Sequence, residues 1–490
     1  MHKPFLAVVV AAALGGCSLA PDYQRPEVEL INTWTPAEQQ AAVMPLGWES
    51  VFNDEALQQL IKRGLDSNKD LQIALLNVEL YRKQYQIQRA DLLPSLTLDG
   101  SGTRAATSAF SGDSTISSTY SVTAGLTAYE LDLFGKVRNL KDQALETYLS
   151  QEQVRRSTQL TIVANIATAY LTWVADREQL ALAQENLKIE EDNYRLVSLR
   201  YDQGIDSSIE QAQAQASYED MLVTLSQYQR LVDQDRYALV LLLGTELPEG
   251  FTPAKRLADV KIATVGAGLP STLLNQRPDI LAAEHTLRAA NANIGVARAA
   301  LFPSISLTAN AGSQSSELSG LFDSGSGAWT FVPSISLPIF NSGALRRDVE
   351  VAEIENQIAV KQYEQAVQSA FTDVSDALTA LSGYSLELEN QNKALQSYQR
   401  YFELADLRYQ SGVDSMLTRL DAQSSLVSSQ QASIAARLAL YQAQIDLYQA
   451  LGGGWGQGLN QTGAGNLTQG YYTQPNDGAT ISNSQDTSAP

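Results

Sequence analysis

The chain carries the sequence RYDQGIDS at residues 200–207 and a close copy of it, RYQSGVDS, at residues 408–415. A second stretch, RADLLPSL at residues 89–96, has its counterpart, RAALFPSI, at residues 298–305. The two offsets, 208 (408 − 200) and 209 (298 − 89), are nearly equal. Because a fixed period along a chain indicates a duplicated structural unit, the sequence predicts an internal two-fold repeat.

The composition excludes several classes of function. The 490 residues carry a net charge of −20, whereas a nucleic-acid-binding surface needs a basic face. Cys17 is the only cysteine, so no disulfide can form within the chain. His2 and His285 are the only histidines, which leaves almost no residues for a nucleophile–histidine pair or a histidine metal site. We expect no nucleic-acid partner, no metal, no cofactor and no enzymatic activity.

The N-terminus has the pattern of an export signal. Lys3 precedes an apolar run from Phe5 to Leu14, and small residues follow. This run is too short to cross a bilayer, and residues 1–16 are predicted to be a signal peptide. The tetrapeptide LGGC at residues 14–17 resembles a bacterial lipobox, which implies that Cys17 becomes the mature N-terminus and carries acyl and diacylglycerol groups. An ordinary signal peptide with a chance cysteine is the alternative.

In each copy, one segment changes from a helical period to strict alternation. Residues 94–132 and 303–341 each contain two runs in which apolar residues alternate with Ser, Thr or Asn. Polar loops are predicted between the runs, at residues 108–118 and 312–327. Strands with one apolar and one polar face are typical of a membrane β-barrel, and equally of a soluble hairpin with one buried face. Pro333 interrupts the last run, which indicates a bulge or an edge strand.

Very long helices follow each strand pair. Residues 133–200 and 344–408 contain no proline, and at 1.5 Å per residue each helix would extend about 100 Å. The returning helices at residues 207–243 and 415–451 place apolar residues at alternating steps of three and four, which is typical of coiled-coil seams. Within the first long helix, Glu190-Glu191-Asp192 is predicted to be a solvated face.

A shorter helix precedes each strand pair. The first is predicted to begin after the cap Asp54 and to end at Pro94, and the second to begin at Pro278, next to the polar residue Arg277. The predicted organisation is a signal peptide (1–16), an N-terminal segment (17–53), a first repeat (54–244), a proline-containing linker (245–272), a second repeat (273–452) and a disordered tail (453–490).

Four candidate membrane strands per chain are too few to close a barrel. An open sheet edge in lipid would leave backbone N–H and C=O groups unpaired, which is costly. Closed membrane barrels begin at about eight strands, so copies of the chain have to share one barrel. Two copies would surround a filled interior, and three copies would surround a lumen.

Several short motifs lie along the chain, namely Cys17-Ser18, PDYQRP (21–26), ELDLFG (130–135), QRPDI (276–280), residues 298–311, LPIF (337–340) and LDAQ (420–423). Together these motifs resemble those of TolC-like outer membrane factors, and most closely the OprM-type channel lipoproteins of resistance-nodulation-division (RND) multidrug efflux pumps. The resemblance extends from Cys17 to about Trp455, which is nearly the whole mature chain.

The resemblance implies a mixed α and β membrane protein. Three copies would form a 12-stranded β-barrel in the outer membrane, with four strands from each copy, continued by a long periplasmic α-helical barrel. A mixed equatorial domain would be built from residues 18–52, residues 245–272 and the C-terminal segment. The lipid on Cys17 would anchor the chain in the outer membrane.

The implied function is the passive exit duct of a tripartite RND efflux pump. Drugs and other small molecules would pass from an inner-membrane RND transporter and a periplasmic adaptor to the exterior. No ATP-binding motif is recognisable in the sequence, so the energy for transport is expected to come from the inner-membrane partner.

The resemblance also implies two sets of site residues. The helix tips that would bind the adaptor are Gly204, Ile205, Asp206, Ser207, Gly412, Val413, Asp414 and Ser415. A periplasmic gate would be formed by Leu417 and Asp421, which lie four residues apart and share one helix face. Three Asp421 carboxylates would give this gate a negative collar. Arg419, with Arg408 and Tyr409 near it, would either pair with a neighbouring acid and hold the gate closed or face the solvent.

Two alternative functions stay open. The same duct could serve type I protein secretion, although the RND-type lipoprotein motifs argue against it. The chain could also be a periplasmic coiled-coil scaffold lipoprotein without a pore. A scaffold has no need of strands with opposed polar and apolar faces, so the strand pairs discriminate between the two classes.

Overall fold

The computed structural model describes residues 18–28, 47–108, 114–263 and 276–453. The helices and strands are, in chain order, α1 (Trp48–Val51), α2 (Glu55–Ser67), α3 (Lys69–Ala90), β1 (Leu96–Ser108), β2 (Ser114–Glu130), α4 (Lys136–Asp202), α5 (Ser208–Leu243), α6 (Pro278–Ala299), β3 (Ser304–Ser315), β4 (Gly327–Ser336), α7 (Ala344–Gln410) and α8 (Met416–Ala450). Short 3₁₀ turns lie at Leu257–Asp259 and Leu318–Gly320. No helix in these ranges is both long enough and apolar enough to cross a membrane.

The predicted long helices are confirmed. Helices α4 and α7 each contain 67 residues, and the returning helices α5 and α8 contain 36 and 35. Each long helix begins after a glycine in the left-handed region, Gly135 at φ 78° and Gly343 at φ 83°. At the first of these starts, Asp132 accepts hydrogen bonds from the backbone N–H groups of Val137 and Arg138, which explains the aspartate of the ELDLFG stretch.

The single helix predicted between Asp54 and Pro94 is wrong. Asp54 does cap a helix, since its Oδ1 accepts from Leu57 N at 2.8 Å, but α2 ends at Ser67. Asn68 then caps α3 by accepting from Leu71 N, and its amide donates to Leu242 O at the end of α5. The hydrogen bond from Asn68 to Leu242 therefore holds the junction of α2 and α3 against the end of the returning helix α5.

The four strands form one antiparallel sheet in the order β1-β2-β3-β4. One face carries pairs of hydroxyl groups, with Ser101 opposite Ser121 at 2.9 Å and Ser306 opposite Ser334 at 2.7 Å. The other face carries exposed large apolar side chains, including those of Leu98, Trp329, Phe331 and Ile335. This alternation confirms the predicted two-faced strands.

The strands are longer than the alternating runs alone indicated. The predicted loop at 108–118 is wrong in part, because β1 reaches Ser108 and β2 already starts at Ser114. The predicted loop at 312–327 is shorter in the same way, since β3 reaches Ser315.

The outer strands keep one free edge each. Within the described ranges β1 pairs only with β2, and β4 pairs only with β3. Pro333 lies on β4 opposite Leu307, so the residue without an N–H group falls on an edge strand, as the sequence predicted.

Two glycines allow β2 and β3 to approach closely. A Cβ atom at Gly312 would lie 2.0 Å from Val122 O and 2.6 Å from Thr123 Cα. A Cβ atom added at Gly125 would lie 2.1 Å from Ala309 O. Both obstacles are backbone atoms, so no change of rotamer would relieve them.

The helices form a single layer with two free edges. Near the sheet, the neighbours are α3-α4-α6-α7, and towards the far end they are α5-α4-α8-α7. The contacts of α4 with α6 near the sheet and with α8 towards the far end join the first repeat to the second. Two apolar cores support this layer, one around Tyr170 and Leu243 and the other around Tyr363 and Val367.

Residues 18–28, here called the N-terminal strap, lie along α6. Ser18 Oγ donates to Asn139 Oδ1 at 2.8 Å, and Arg25 forms an ion pair with the buried Glu284 at 2.5 Å. Burial alone would raise the pKa of Glu284, but Arg25 and Arg288 hold it below its usual value. The strap is therefore fixed to α6 by charge as well as by packing.

Arg277 has a structural role, in agreement with the prediction of a helix entry beside it. Its buried guanidinium donates to Ala450 O at 2.9 Å and pairs with Asp279 and Asp373. These bonds fasten the start of α6 to the end of α8 and to α7. Pro278 occupies the first turn of α6, as predicted.

Candidate functional site at the helix tips

The two copies of the repeated sequence, at residues 200–207 and 408–415, form equivalent turns at the ends of the long helices. Gly204 and Gly412 both adopt φ 71°, the left-handed conformation that glycine tolerates best. Ile205 N donates to Arg200 O, and Val413 N donates to Arg408 O, both at 2.9 Å. Each long helix therefore ends in a Schellman-type turn.

An arginine and an aspartate brace each turn. Arg200 pairs with Asp206 at 2.9 Å, and Arg408 pairs with Asp414 through two bonds of 2.6 and 2.9 Å. The Arg408 guanidinium holds the pKa of Asp414 below its usual value. The shared Arg and Asp of the repeats are thus explained by a local brace that repeats with the fold.

The serine that follows each turn caps the returning helix. Ser207 and Glu210 form a reciprocal capping box, and Ser415 Oγ accepts from Thr418 N. Beyond these braces, the predicted adaptor residues Ile205 and Val413 project from the turns, each 62% exposed.

The two hairpins touch each other just inside the tips. Val197 of α4, Ala214 of α5 and Met416 of α8 are buried together, with Tyr194 and Tyr409 packed against them. The structure therefore brings the predicted gate residue Tyr409 into contact with the first repeat.

The predicted gate pair lies on the exposed side of α8. Leu417 is 61% exposed, and Asp421 is also exposed. Asp421 Oδ2 accepts a hydrogen bond from the Tyr401 hydroxyl of α7 at 3.1 Å, and this bond raises the pKa of Tyr401. Tyr401 was not singled out from the sequence.

Arg419 takes the first of its two predicted arrangements, because it pairs with an acid. Its Nε lies 2.6 Å from Asp406 Oδ1 of α7, and its guanidinium lies over the ring of Tyr409 at 5.8 Å. It also donates to Asn193 Oδ1 of α4 at 3.3 Å. Arg419 therefore links both helices of the second hairpin to the first repeat.

The predicted solvated face at Glu190-Glu191-Asp192 is wrong for its first residue. Glu191 and Asp192 are exposed, but Glu190 is 5% exposed and faces the contact between the repeats. Burial raises the pKa of Glu190, and the nearby Arg419 offsets part of that rise. A charge run on a helix contains residues on more than one face, and the run alone does not tell which residue is buried.

Cys17 lies outside the described residues, as do the signal peptide, residues 264–275 of the linker and its junction, and the tail from 454. The predictions for them stay predictions. Among the described residues, no group of three or more His, Cys, Asp or Glu side chains is placed to hold a metal ion.

A carboxylate pair between α4 and α5 gives the helical layer a pH dependence. Burial raises the pKa of both Asp176 and Asp235, and the neighbouring Asp176 carboxylate raises that of Asp235 further, to about 6. The contact is therefore most stable at low pH and is weakened as the pH rises through about 6.

We expect Asp235→Asn to stabilise the protein by about 1–2 kcal/mol at pH 8, after allowance for solvent screening, and to have little effect near pH 3.5, below the ordinary pKa of an aspartate. The midpoint of thermal unfolding, measured at both pH values, checks this. An equal shift at both would mean that the charge of the pair is not responsible.

Comparison with known proteins gives the family. The model of the family "Outer membrane efflux protein" matches residues 60–245 and 269–453, one match for each repeat. The chain is 48% identical over 477 residues to the "Probable efflux pump outer membrane protein TtgC" of Pseudomonas putida, covering 95% of this chain and 98% of that protein. It is 40% identical over 472 residues to "Outer membrane protein OprJ" of Pseudomonas aeruginosa, covering 94% and 98%.

A solved structure has the same fold. The open state of the Neisseria gonorrhoeae MtrE outer membrane channel superposes with a TM-score of 0.83 at 38% identity, covering 89% of this chain and 98% of that one. Two family matches, a channel fold and relatives named as efflux proteins agree with the two-faced sheet and the long helices described above. The chain belongs to the outer membrane efflux protein family, whose members are efflux ducts of the outer membrane and not enzymes.

Proposed function

We propose that three copies of the chain form one lipid-anchored duct, through which an RND-type pump exports small molecules. Each copy contributes four strands to a 12-stranded barrel in the outer membrane and four helices to each level of a periplasmic helical barrel. The names of its relatives, which include antibiotic and toluene efflux proteins, support this transport role.

The free edges of the sheet carry the proposal. Among the residues that the structure describes, β1 and β4 have no pairing partner on one side, yet their sheet presents an apolar face suited to lipid. Unpaired backbone groups are not tolerated in hydrocarbon, so another copy has to supply the missing partners. Joining β4 of one copy to β1 of the next removes every free edge once the ring closes.

The free edges of the helical layer support the same assembly. On one edge, α3 exposes an apolar stripe that includes Leu76 and Leu80, and on the other, α7 exposes Ile354 and Ile358. Two different surfaces on opposite edges favour a head-to-tail contact that closes into a ring.

The tips suit a periplasmic adaptor. The turns at Gly204 and Gly412 lie farthest from the sheet along the long helices, and each presents an exposed aliphatic side chain above an internally paired Arg and Asp. Because the Arg and Asp side chains of each turn already form an ion pair, the turn can bury its aliphatic side chain against a partner without leaving either of these charges unpaired in the interface.

The N-terminal strap supports a lipid anchor on Cys17. Leu19 O accepts from Arg298 at 3.4 Å, near the end of α6 and close in sequence to the start of β3. Ser18, the described residue next to Cys17 in the sequence, therefore belongs to the part of the strap at the sheet end of α6, the end from which acyl chains could enter the membrane.

The function is tested by deleting the gene in a host whose other efflux ducts have been removed. We expect susceptibility to several unrelated antibiotics to rise and to be restored by the intact chain. The purified protein should migrate as an SDS-resistant, heat-sensitive trimer and conduct ions in planar bilayers. Unchanged susceptibility to every compound, or a monomer without conductance, would refute the proposal.

The proposed gate has its own test. Asp421→Ala removes both the negative collar and the acceptor for Tyr401, so we expect a severalfold higher resting conductance. Asp421→Asn keeps an acceptor and removes only the charge, and it should separate the two contributions. If neither variant changes the conductance, Asp421 is not part of the gate.

A further inference from the structure

The contact between α4 of the first repeat and α8 of the second is here called the inter-repeat seam. It runs between α4 and α8, from Gln179, whose amide donates to Gln431 O at 3.1 Å, to Asn193, which accepts from Arg419 at 3.3 Å. The helices are antiparallel, and both contacts fit one register, because 14 residues separate the two on α4 (193 − 179) and 12 on α8 (431 − 419).

The seam is polar where a coiled coil is normally apolar. The α4 residues that face it, Gln179, Asn186, Glu190 and Asn193, follow one another at steps of seven, four and three. All four are less than a tenth exposed. Polar residues at core positions set the register of a helix pair but lower its stability. The seam is therefore specific and easily parted, in contrast to the apolar contact at Val197 just below it.

Several of these buried groups have no partner. Glu190 Oε2, Asn193 Nδ2 and both amide atoms of Gln423 make no hydrogen bond to any described residue. Gln423 is 3% exposed and lies four residues beyond Arg419 on α8, while Glu190 lies three residues before Asn193 on α4. Helix geometry puts Glu190 and Gln423 at the same level of the seam.

The charges around Glu190 are few. Arg419 of α8 is close enough to Glu190 to lower its pKa. Asp406 of α7 forms an ion pair with Arg419, in which Arg419 Nε lies 2.6 Å from Asp406 Oδ1. On α5, Tyr218 stacks on Tyr194, one turn of α4 away from Glu190, with ring centroids 5.9 Å apart. Because Asp406 already engages Arg419, an ionised Glu190 has no cation of its own among the described residues, and Arg419 and the Asn193 side chain offset only part of the effect of burial.

We propose that Glu190 is a proton-binding site that controls how firmly the second hairpin, α7 and α8, stays docked on the first. Protonation removes a buried charge and gives the side chain a donor that can serve the unpaired acceptors of the seam. Loss of the proton leaves a charge that is solvated only when the seam parts. Acidic conditions therefore hold the hairpins together, and a rise in pH loosens them.

The direction of this pH dependence follows from the environment of the Glu190 carboxyl group. Burial holds the pKa of Glu190 above its usual value in the docked arrangement, and parting the seam would return it towards that value. The docked form binds more protons, so its stability is greatest at low pH and falls as the pH rises through the raised pKa.

The test measures the distance between the two tips directly. Spin labels on Ile205→Cys and Val413→Cys report the separation of the hairpins in the purified, assembled protein, and the unsubstituted chain gives the background from Cys17. We expect the population with separated tips to grow by about threefold or more between pH 5 and pH 8. Glu190→Gln, which cannot ionise, should hold the low-pH distribution at both values.

Glu191→Gln is the matched control, because it removes the same charge from the adjacent, exposed position and should keep the wild-type pH response. Glu190→Ala, which has neither proton nor charge, should also abolish the response. A pH response that survives both Glu190 substitutions, or that is lost equally in Glu191→Gln, would overturn the proposal.

The proposal rests on the duct function but fails separately from it. Failure of the duct itself would appear as a monomer without bilayer conductance. Failure of the proton site would appear as a conducting trimer whose tip distances do not depend on Glu190.

Discussion

Gly312→Val is expected to abolish the assembled barrel. The added Cβ would meet Val122 O at 2.0 Å, far inside van der Waals contact, and both atoms belong to paired strands. This steric clash is relieved only if β2 and β3 separate. Their backbone N–H and C=O groups would then be unpaired in lipid, at a cost of several kcal/mol each. We expect SDS-resistant trimer in outer-membrane extracts to fall at least about tenfold, and antibiotic susceptibility to match that of the deletion strain.

Gly100→Val is the control for this substitution. It adds the same side chain to the same sheet, on β1, where no heavy atom lies within 4 Å of the new Cβ. Its trimer yield should stay close to wild type. A normal yield from Gly312→Val would mean that β2 and β3 do not pair as closely as described.

Arg419→Ala is expected to open the periplasmic end. It removes the ion pair with Asp406, which holds Arg419 in place, and the hydrogen bond from Arg419 to Asn193, which is one of the links between the two hairpins. Charged hydrogen bonds of this kind contribute about 1.5–3 kcal/mol, which corresponds to roughly tenfold to hundredfold in the ratio of docked to parted hairpins. Resting conductance in planar bilayers should rise severalfold, and cells should become sensitive to large antibiotics that normally stay outside.

Arg195→Ala is the matched control for the Arg419 substitution. Arg195 lies on α4 close to the seam in sequence, but its side chain is 75% exposed and pairs only with its helix neighbour Asp192. Exposed pairs of this type contribute little, so its conductance should equal that of the wild type. Equal leakage from both variants would point to net charge, and not to the link through Arg419, as the cause.

Much of this fold could be predicted because it repeats. The recurrence of Arg-Tyr and Asp-Ser around Gly204 and Gly412 located both tips, and the 3.5-residue steps of the returning helices indicated extended coiled coils. The alternation on β1 to β4 predicted a two-faced sheet. These signals are local and periodic, and periodicity survives in a single sequence.

The parts that could not be predicted depend on contacts between different helices. Glu190 belongs to a run of three acids, and only its position against α8 distinguishes it from its neighbours. Asn68 breaks a helix because Leu242, far away in the chain, accepts its amide. Asp406 and Asn193 become partners of Arg419 only once two hairpins are packed. One signal was available, because Asn and Gln at core spacing on α4 indicate a polar seam.

The equal length of the two long helices has a consequence for how such proteins can change. Helices α4 and α7 each span 67 residues, so both kinds of tip finish at one height above the sheet. An insertion of two heptads in one of them alone would raise its tips by about 21 Å and leave the rim uneven. An adaptor that engages a level rim tolerates length changes only when both halves of the chain, and the adaptor itself, change in step.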